Sequence, residues 1–214
     1  MCLETADRGV AGVKTLTESI YWNSPDDILA STDGGQLRFP GLLPPGMRSL
    51  AGTGLESVLN IMMLLRDETG KVIGSGSELE VLPGRGSPGP RDVYLTIVLP
   101  GRGSLFVHQR KNMVDPRRAE IWKLVEETGQ PWEGELSIVS TVGPGPDGRA
   151  IVLAGTDEFA GVTGTMFQTS IMRRVEVNGY SNTVCEKFEL EWPREAAIGV
   201  NAYPGTREEV TGGP

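Results

Sequence analysis

Glu56–Leu82 reads ESVLNIMMLLRDETGKVIGSGSELEVL, and the fold turns on whether its first half is a helix or a strand. Val58, Leu59, Ile61, Met62, Met63, Leu64 and Leu65 crowd Glu56 to Arg66, and leucine and methionine favour a helix by intrinsic propensity. Asp67-Glu68-Thr69-Gly70 follows at once, however, and Lys71 to Leu82 then alternates with small residues. Two such runs joined by a short turn ending in glycine make the pattern of a β-hairpin. Strand, turn, strand is the reading carried forward.

Upstream, Lys14 to Trp22 alternates, with Leu16, Glu18, Ile20 and Trp22 on one face and Thr15, Thr17, Ser19 and Tyr21 on the other. That period predicts a first strand. Asn23 to Gly54 then breaks every pattern, mixing Pro25, Pro40, Pro44 and Pro45 with glycines and with Ile28, Leu29, Phe39, Leu42, Leu43 and Met47. Long structureless segments in a compact domain are uncommon and often serve as lids or binding loops. The alternatives are a capping loop over 23–54 and a plain linker after a detached strand; a linker would carry fewer large apolar residues.

Downstream, Gly84 to Pro90 reads as a loop, and Asp92 to Leu99 and Ser104 to Arg110 as strands around Pro100-Gly101-Arg102-Gly103. Asp115 to Glu127 is the one convincing helix: Asp115 can cap it, Pro116 suits the first turn and Gly129 ends it. Ile121, Leu124 and Val125 give it a narrow apolar stripe. Glu135 to Val142 and Arg149 to Ala154 read as the next strand pair, around Pro144-Gly145-Pro146-Asp147-Gly148. Val162 to Val175 and Asn182 to Trp192 close the set, turning at Asn178-Gly179.

Short links between consecutive strands imply antiparallel neighbours. A meander of this length tends to curl shut, because closure removes its unpaired edges. The expected fold is all-β: a closed antiparallel barrel of eight strands, or nine, with one short helix. Such a barrel is filled by side chains or holds one small ligand. It would be a single domain over 14–192, with loose ends at 1–13 and 193–214.

The 214 residues suffice to bury a core without a metal or disulfide staple. A formal charge of −8 would repel a phosphate backbone, which argues against a nucleic-acid partner. Basic runs at Arg110, Lys111, Arg117 and Arg118, and at Arg173 and Arg174, read as a solvated rim. Cys2 and Cys185 give no disulfide framework. No apolar run reaches the ~20 residues that span a bilayer, and Met1 to Val13 lacks the apolar core of a signal peptide. A cytoplasmic protein without a membrane partner is the expectation.

Several chemistries are excluded by residue type. His108 is the single histidine and cannot assemble a multi-histidine metal site, and no Cys-x-x-Cys spacing occurs. Gly101-Arg102-Gly103 and Gly143 to Gly148 are glycine-rich, but neither links a strand to a helix as a phosphate cradle does. A Ser-His-Asp hydrolase would have to use His108 without a G-x-S-x-G elbow.

What remains is an expected apolar cavity with few polar groups. Glu18 shares its face with Leu16, Ile20 and Trp22, and Glu186 shares one with Phe188, Leu190 and Trp192. A carboxylate on an apolar face is costly and its pKa should rise, a property that clusters where a proton or hydrogen bond is delivered. Glu18 and Glu186 are therefore the candidates for polarising a substrate carbonyl, with Asn60 and Tyr94 as fixed donors. Trp22, Met62, Phe106, His108, Phe188 and Trp192 are the candidate cavity walls. The competing readings are glutamates at barrel ends in water and aromatics in ordinary core packing.

Ile151–Phe167, IVLAGTDEFAGVTGTMF, adds a local pattern: a glycine-threonine turn, an acidic pair, one aromatic, then Gly-Val-Thr-Gly entering a long strand. Gly155, Gly161 and Gly164 allow a tight corner, and Phe159 can tuck beneath it. The segment resembles the allene oxide cyclase and dirigent-protein superfamily, although Ala154-Gly155 stands where that family carries a glycine pair. Gly103 to Asn112, GSLFVHQRKN, occupies the place of another strand of that family. The resemblance runs from about Gly74 to Trp192 and is closest to the bacterial polyketide cyclases of the spirotetronate type.

That resemblance implies a cofactor-free cyclase that folds a linear apolar polyene and closes a ring by [4+2] addition. Binding such a chain in a near-attack shape can remove ~7–11 kcal/mol of barrier. It also implies pairing into homodimers through outer barrel faces, with which the apolar residues on both sides of Glu56 to Leu65 agree. A lipocalin-like carrier, or a dirigent-like protein that orients a reaction begun elsewhere, needs the same cavity and remains the alternative.

Overall fold

The computed structural model describes residues 13–33, 48–49, 58–81, 89–112, 115–177 and 179–193. The expected loose ends and most of the expected capping loop lie outside these residues. Among the described residues no helix is long and apolar enough to cross a membrane.

The deciding segment is a hairpin of β4 (Val58–Arg66) and β5 (Val72–Val81), antiparallel from Val58 opposite Val81 to Arg66 opposite Val72. Asp67 Oδ1 holds the turn by accepting from Thr69 N, Thr69 Oγ1 and Lys71 N, while Gly70 takes the left-handed conformation. The helical propensity of β4 is overridden by packing. A Cβ on Gly76 would sit 3.2 Å from Met63 Sδ and 3.3 Å from Leu65 Cδ2, so the glycine leaves room for the side chains of the facing strand.

The meander continues through β6 (Arg91–Leu99) and β7 (Gly103–Lys111). It resumes with β10 (Ala150–Gly155), β11 (Thr163–Glu176) and β12 (Gly179–Pro193). β1 (Val13–Ser24) lies antiparallel on β12 along its whole length, from Val13 opposite Pro193 to Ser24 opposite Asn182. The ring of eight strands, β1-β12-β11-β10-β7-β6-β5-β4, closes where Tyr21 of β1 meets Arg66 of β4.

The seam depends on residues expected to be patternless. After Ser24 the chain turns, and β2 (Ile28–Asp33) runs antiparallel along β4, with the two-residue β3 (Arg48–Ser49) parallel to it. Residues 23–33 are therefore the end of β1, a turn and β2 rather than part of a capping loop. Asp27, fully buried, pins this corner by accepting from Arg66 Nε and Nη2 and from the backbone and side-chain nitrogens of Asn23. Burial alone would raise its pKa, but these bonds outweigh it and hold the carboxyl below its ordinary value. Asp27→Asn should cost about 2 kcal/mol in urea unfolding at pH 7, since hydrogen bonds to a charged group are worth roughly 1.5–3 kcal/mol. A loss below about 0.5 kcal/mol would mean the corner holds without the charge.

The link from β7 to β10 departs from expectation. The expected pairing of Glu135–Val142 with Arg149–Ala154 does not form. β8 (Trp132–Val139) instead pairs with β11, and β9 (Thr141–Gly143) with the end of β7. Ser140 separates the two, its N–H donating to Gln168 O, so the chain changes partner there. The helix α1 (Pro116–Thr128) is as expected: Asp115 accepts from Arg117 N, and Gly129 closes it in the left-handed conformation. Its Val125 joins Leu136, Ile138, Met172 and Val175 in a small core outside the barrel.

Inside the barrel, Ile20, Leu65, Ile97, Leu99, Leu105, Phe188 and Leu190 are nearly inaccessible. Phe159 plugs this end, its ring stacked on Trp192 at 6.5 Å. A Cβ on Gly155 would come within 2.4 Å of Phe159 O, so the corner requires glycine there. Arg102 lies over Phe159 and bonds both Glu18 and Glu158, closing the apolar end with an ion-pair cap.

A candidate active site at the polar end of the barrel

The buried face of each barrel strand changes character along its length. On β7 it runs Leu105, Val107, Gln109, Lys111; on β5, Gly76, Glu78, Glu80; on β12, Leu190, Phe188, Glu186, Val184. One half of the interior is hydrocarbon and the other a polar network. Lys111 Nζ lies 3.0 Å from both oxygens of Glu78 and 3.2 Å from Glu80 Oε1. Arg91 Nη1 donates to Glu80 Oε2 at 2.9 Å. Gln168 joins the strands: its Nε2 donates to Glu78 at 2.9 Å and to Glu186 at 3.3 Å, and its Oε1 accepts from Ser140 Oγ at 2.8 Å.

Burial lowers a lysine pKa, but the flanking carboxylates of Glu78 and Glu80 outweigh it and keep Lys111 charged well above its ordinary range. Burial would raise Glu80, and the cations Lys111 and Arg91 reverse that. Among the described residues no cation lies within ion-pair distance of Glu186, and Lys111 acts on it only from farther off. Burial, with the charge of Glu78 nearby, pushes it up to about 7, against the hydrogen bonds from Trp22 and Gln168. Its Oε1 accepts from Trp22 Nε1 at 3.3 Å, and its Oε2 is buried without a partner.

Beside this network lies a cavity offering about 80 Å³ to the centre of a water molecule, room for several waters or part of a small molecule. Trp22, Ile28, Leu59, Ile61, Ile138 and Val184 form an apolar wall. Glu78, Glu80, Arg91, Lys111 and Arg118 form a charged one, with Gln168, Tyr180, Asn182 and Ser24 between them. Ser24 Oγ and Asn182 Oδ1 are buried and bond no described residue, although the two residues face each other across β1 and β12. Buried polar groups without partners are rare and mark a place for a ligand or water.

The residues expected at the site are placed as follows. Trp22 lines the cavity, and Glu186 stands behind Trp22 and Gln168. Glu18 does face inward with Ile20 and Trp22, one layer from Glu186 across β1 and β12, but its carboxylate turns away from the cavity into the Arg102 cap. Phe188 and Trp192 belong to the apolar half. Tyr94, Met62 and Phe106 are corrected to the outer surface, 44%, 47% and 38% exposed. His108 shares that outer face, stacked on Tyr94 and bonded to Asp92. Asn60 alternates with the cavity residues Leu59 and Ile61 and so points away from them. The expected apolar cavity is apolar on one wall only.

Lys111, expected on a solvated rim, is instead buried, and Glu78, Glu80, Gln168 and Arg91 were not anticipated. For Lys111 a signal existed, because extending the alternation Leu105, Val107, Gln109 brings a lysine onto the buried face. For Glu78 and Glu80 the pattern misled, since Leu79 and Val81 alternate with them and face outward. Among the described residues no three histidine, cysteine, aspartate or glutamate side chains are grouped to hold a metal. No protein-family model and no curated protein matches the chain.

Proposed function

We propose that this protein is a cofactor-independent cyclase that folds a linear polyene in the polar end of the barrel and closes a ring by intramolecular [4+2] cycloaddition. One observation carries the reading: a closed barrel holds a small cavity with one apolar wall and, facing it, fixed polar groups of which two are unpartnered. The apolar wall of Trp22, Leu59, Ile61 and Val184 holds the hydrocarbon in a compact shape, which supplies the entropic part of the acceleration. Ser24 Oγ donates to the oxygen of a carbonyl conjugated to the reacting alkene and draws electron density from it, while Asn182 Oδ1 accepts from a hydroxyl of the same substrate. The Lys111–Glu78–Gln168 lattice fixes that wall, so little reorganisation accompanies the reaction. The likeness of Ile151–Phe167 to the allene oxide cyclase-like family supports the same class.

The test is to incubate the protein with linear polyenes that end in an alkene conjugated to a carbonyl and bear a hydroxyl, and to follow an isomer of unchanged mass by liquid chromatography and mass spectrometry. Ser24→Ala and Asn182→Leu should each lower kcat/KM roughly tenfold, the worth of about one hydrogen bond. A carrier would bind these polyenes, return them unchanged and show no rate for either substitution to alter.

A further inference from the structure

The cavity is two-sided in a way that ring closure of a neutral hydrocarbon does not require. Among the described residues on its surface, three cations (Arg91, Lys111 and Arg118) face two carboxylates (Glu78 and Glu80). An excess of positive charge at one cavity is unexpected in a chain of net charge −8, and low-dielectric walls focus such a field.

The cations differ in how far the protein occupies them. Lys111 is saturated, with its ammonium against three carboxylate oxygens. Arg91 is not: Nη1 bonds Glu80, and none of its other N–H groups bonds a described residue. Its side chain remains 21% exposed. One edge of the guanidinium, Nε with Nη2, is thereby left for a planar acceptor with two oxygens. A carboxylate, or the enolate of a 1,3-dicarbonyl, fits that edge with two parallel charge-assisted bonds, which a lysine cannot reproduce. Glu186, the one further carboxyl beside the network among the described residues, is about half ionised near pH 7 and so leaves about half of that single-charge excess, with protonation below pH 7 restoring the rest.

Resting on the cyclase reading, we propose that the substrate is an amphiphilic monoanion whose carboxylate or enolate head is bound by Arg91 while its hydrocarbon lies against Trp22, Ile28, Leu59 and Ile61. Arg91 is then the residue that selects for an acidic head and sets which end of the polyene enters first. Glu80 steadies the guanidinium and, by occupying Nη1, dictates which edge the ligand meets.

Isothermal titration of the full chain with 2,4-decadienoate and with its methyl ester at pH 7.5 tests this. The wild-type protein should bind the acid at least tenfold more tightly than the ester. Arg91→Gln should abolish the preference by weakening the acid alone, and Arg91→Lys should restore part of it. The acid–ester comparison on unaltered protein stands even if the variants fold poorly. Equal affinity for acid and ester, no binding of the acid, or a preference that Arg91→Gln retains would overturn the proposal. A preference for the acid with no ring closure of any polyene would count against the cyclase and leave the anion site standing. Turnover of uncharged polyenes, unchanged in Arg91→Gln, would do the reverse.

Discussion

Lys111→Met should destabilise the protein by about 3–5 kcal/mol, the usual cost of removing one partner from a buried ion pair. The side chain is 8% exposed and its ammonium touches three carboxylate oxygens. Methionine fits the space but leaves Glu78 with only the Gln168 amide, while Glu80 keeps Arg91. An uncompensated buried carboxylate can escape its penalty only by taking up a proton, so the loss should be larger at pH 8 than at pH 5. In thermal unfolding the drop should be about 6–20 °C for a chain of this size. Adding Glu78→Gln to Lys111→Met should recover most of it, because an amide carries no charge to desolvate. A loss under about 1 kcal/mol, or no rescue, would show that solvent reaches this network and that the cavity is not the dry site the chemistry needs.

The meander was legible because its turns follow from local signals, whereas the seam that closes it runs through the Asp27 corner, where no pattern shows. Asp67 to Gly70, the glycines of Pro100 to Gly103 and the Asp115 cap each act over a few residues, and each is where the sequence places it. The site was legible only in part, because it depends on which face of a strand turns inward. Alternation assigns the apolar face to the core, and β6 obeys, with Val93, Leu95 and Ile97 buried. Tyr94, chosen as an inward donor, sits on the other face for the same reason. At β5 the rule inverts: Leu79 and Val81 face solvent so that Glu78 and Glu80 can meet Lys111, which is remote in the chain. A hydropathy pattern holds no information about a cation on another strand that offsets the cost of burying two carboxylates. Glu18 and Glu186 make the same point, since both occupy apolar faces one layer apart on paired strands, and what divides them is the partner each meets, Arg102 from the β6–β7 turn for one and Trp22 with Gln168 for the other. The partner change at Ser140 was equally hidden, because β8 carries no mark that distinguishes β11 from β10 as its neighbour.

Glu186 gives the site a dependence on pH whose sign is fixed by its surroundings. Trp22 from β1, Gln168 from β11, Glu78 from β5 and Lys111 from β7 act on it, and burial with the Glu78 charge raises it from 4.5 to about 7. The unfolded chain releases this proton near pH 4.5 and the folded protein near pH 7, so between them the folded state binds more protons and stability falls as pH rises. Against Glu186→Gln, which cannot titrate, the wild-type protein should lose about 3 kcal/mol between pH 4 and pH 8, at 1.36 kcal/mol per pKa unit. Urea unfolding of the pair across that range measures it, and titrations elsewhere cancel in the difference. A difference that stays flat would mean that Glu186 keeps the ordinary carboxyl pKa and reaches water. The same ionisation adds negative charge next to Glu78, so affinity for 2,4-decadienoate should also fall above pH 7 while that of its methyl ester holds. Constant acid affinity while the stability difference opens would show that Lys111 shields the ligand from Glu186, and would place the bound head on the Arg91 side of the lysine.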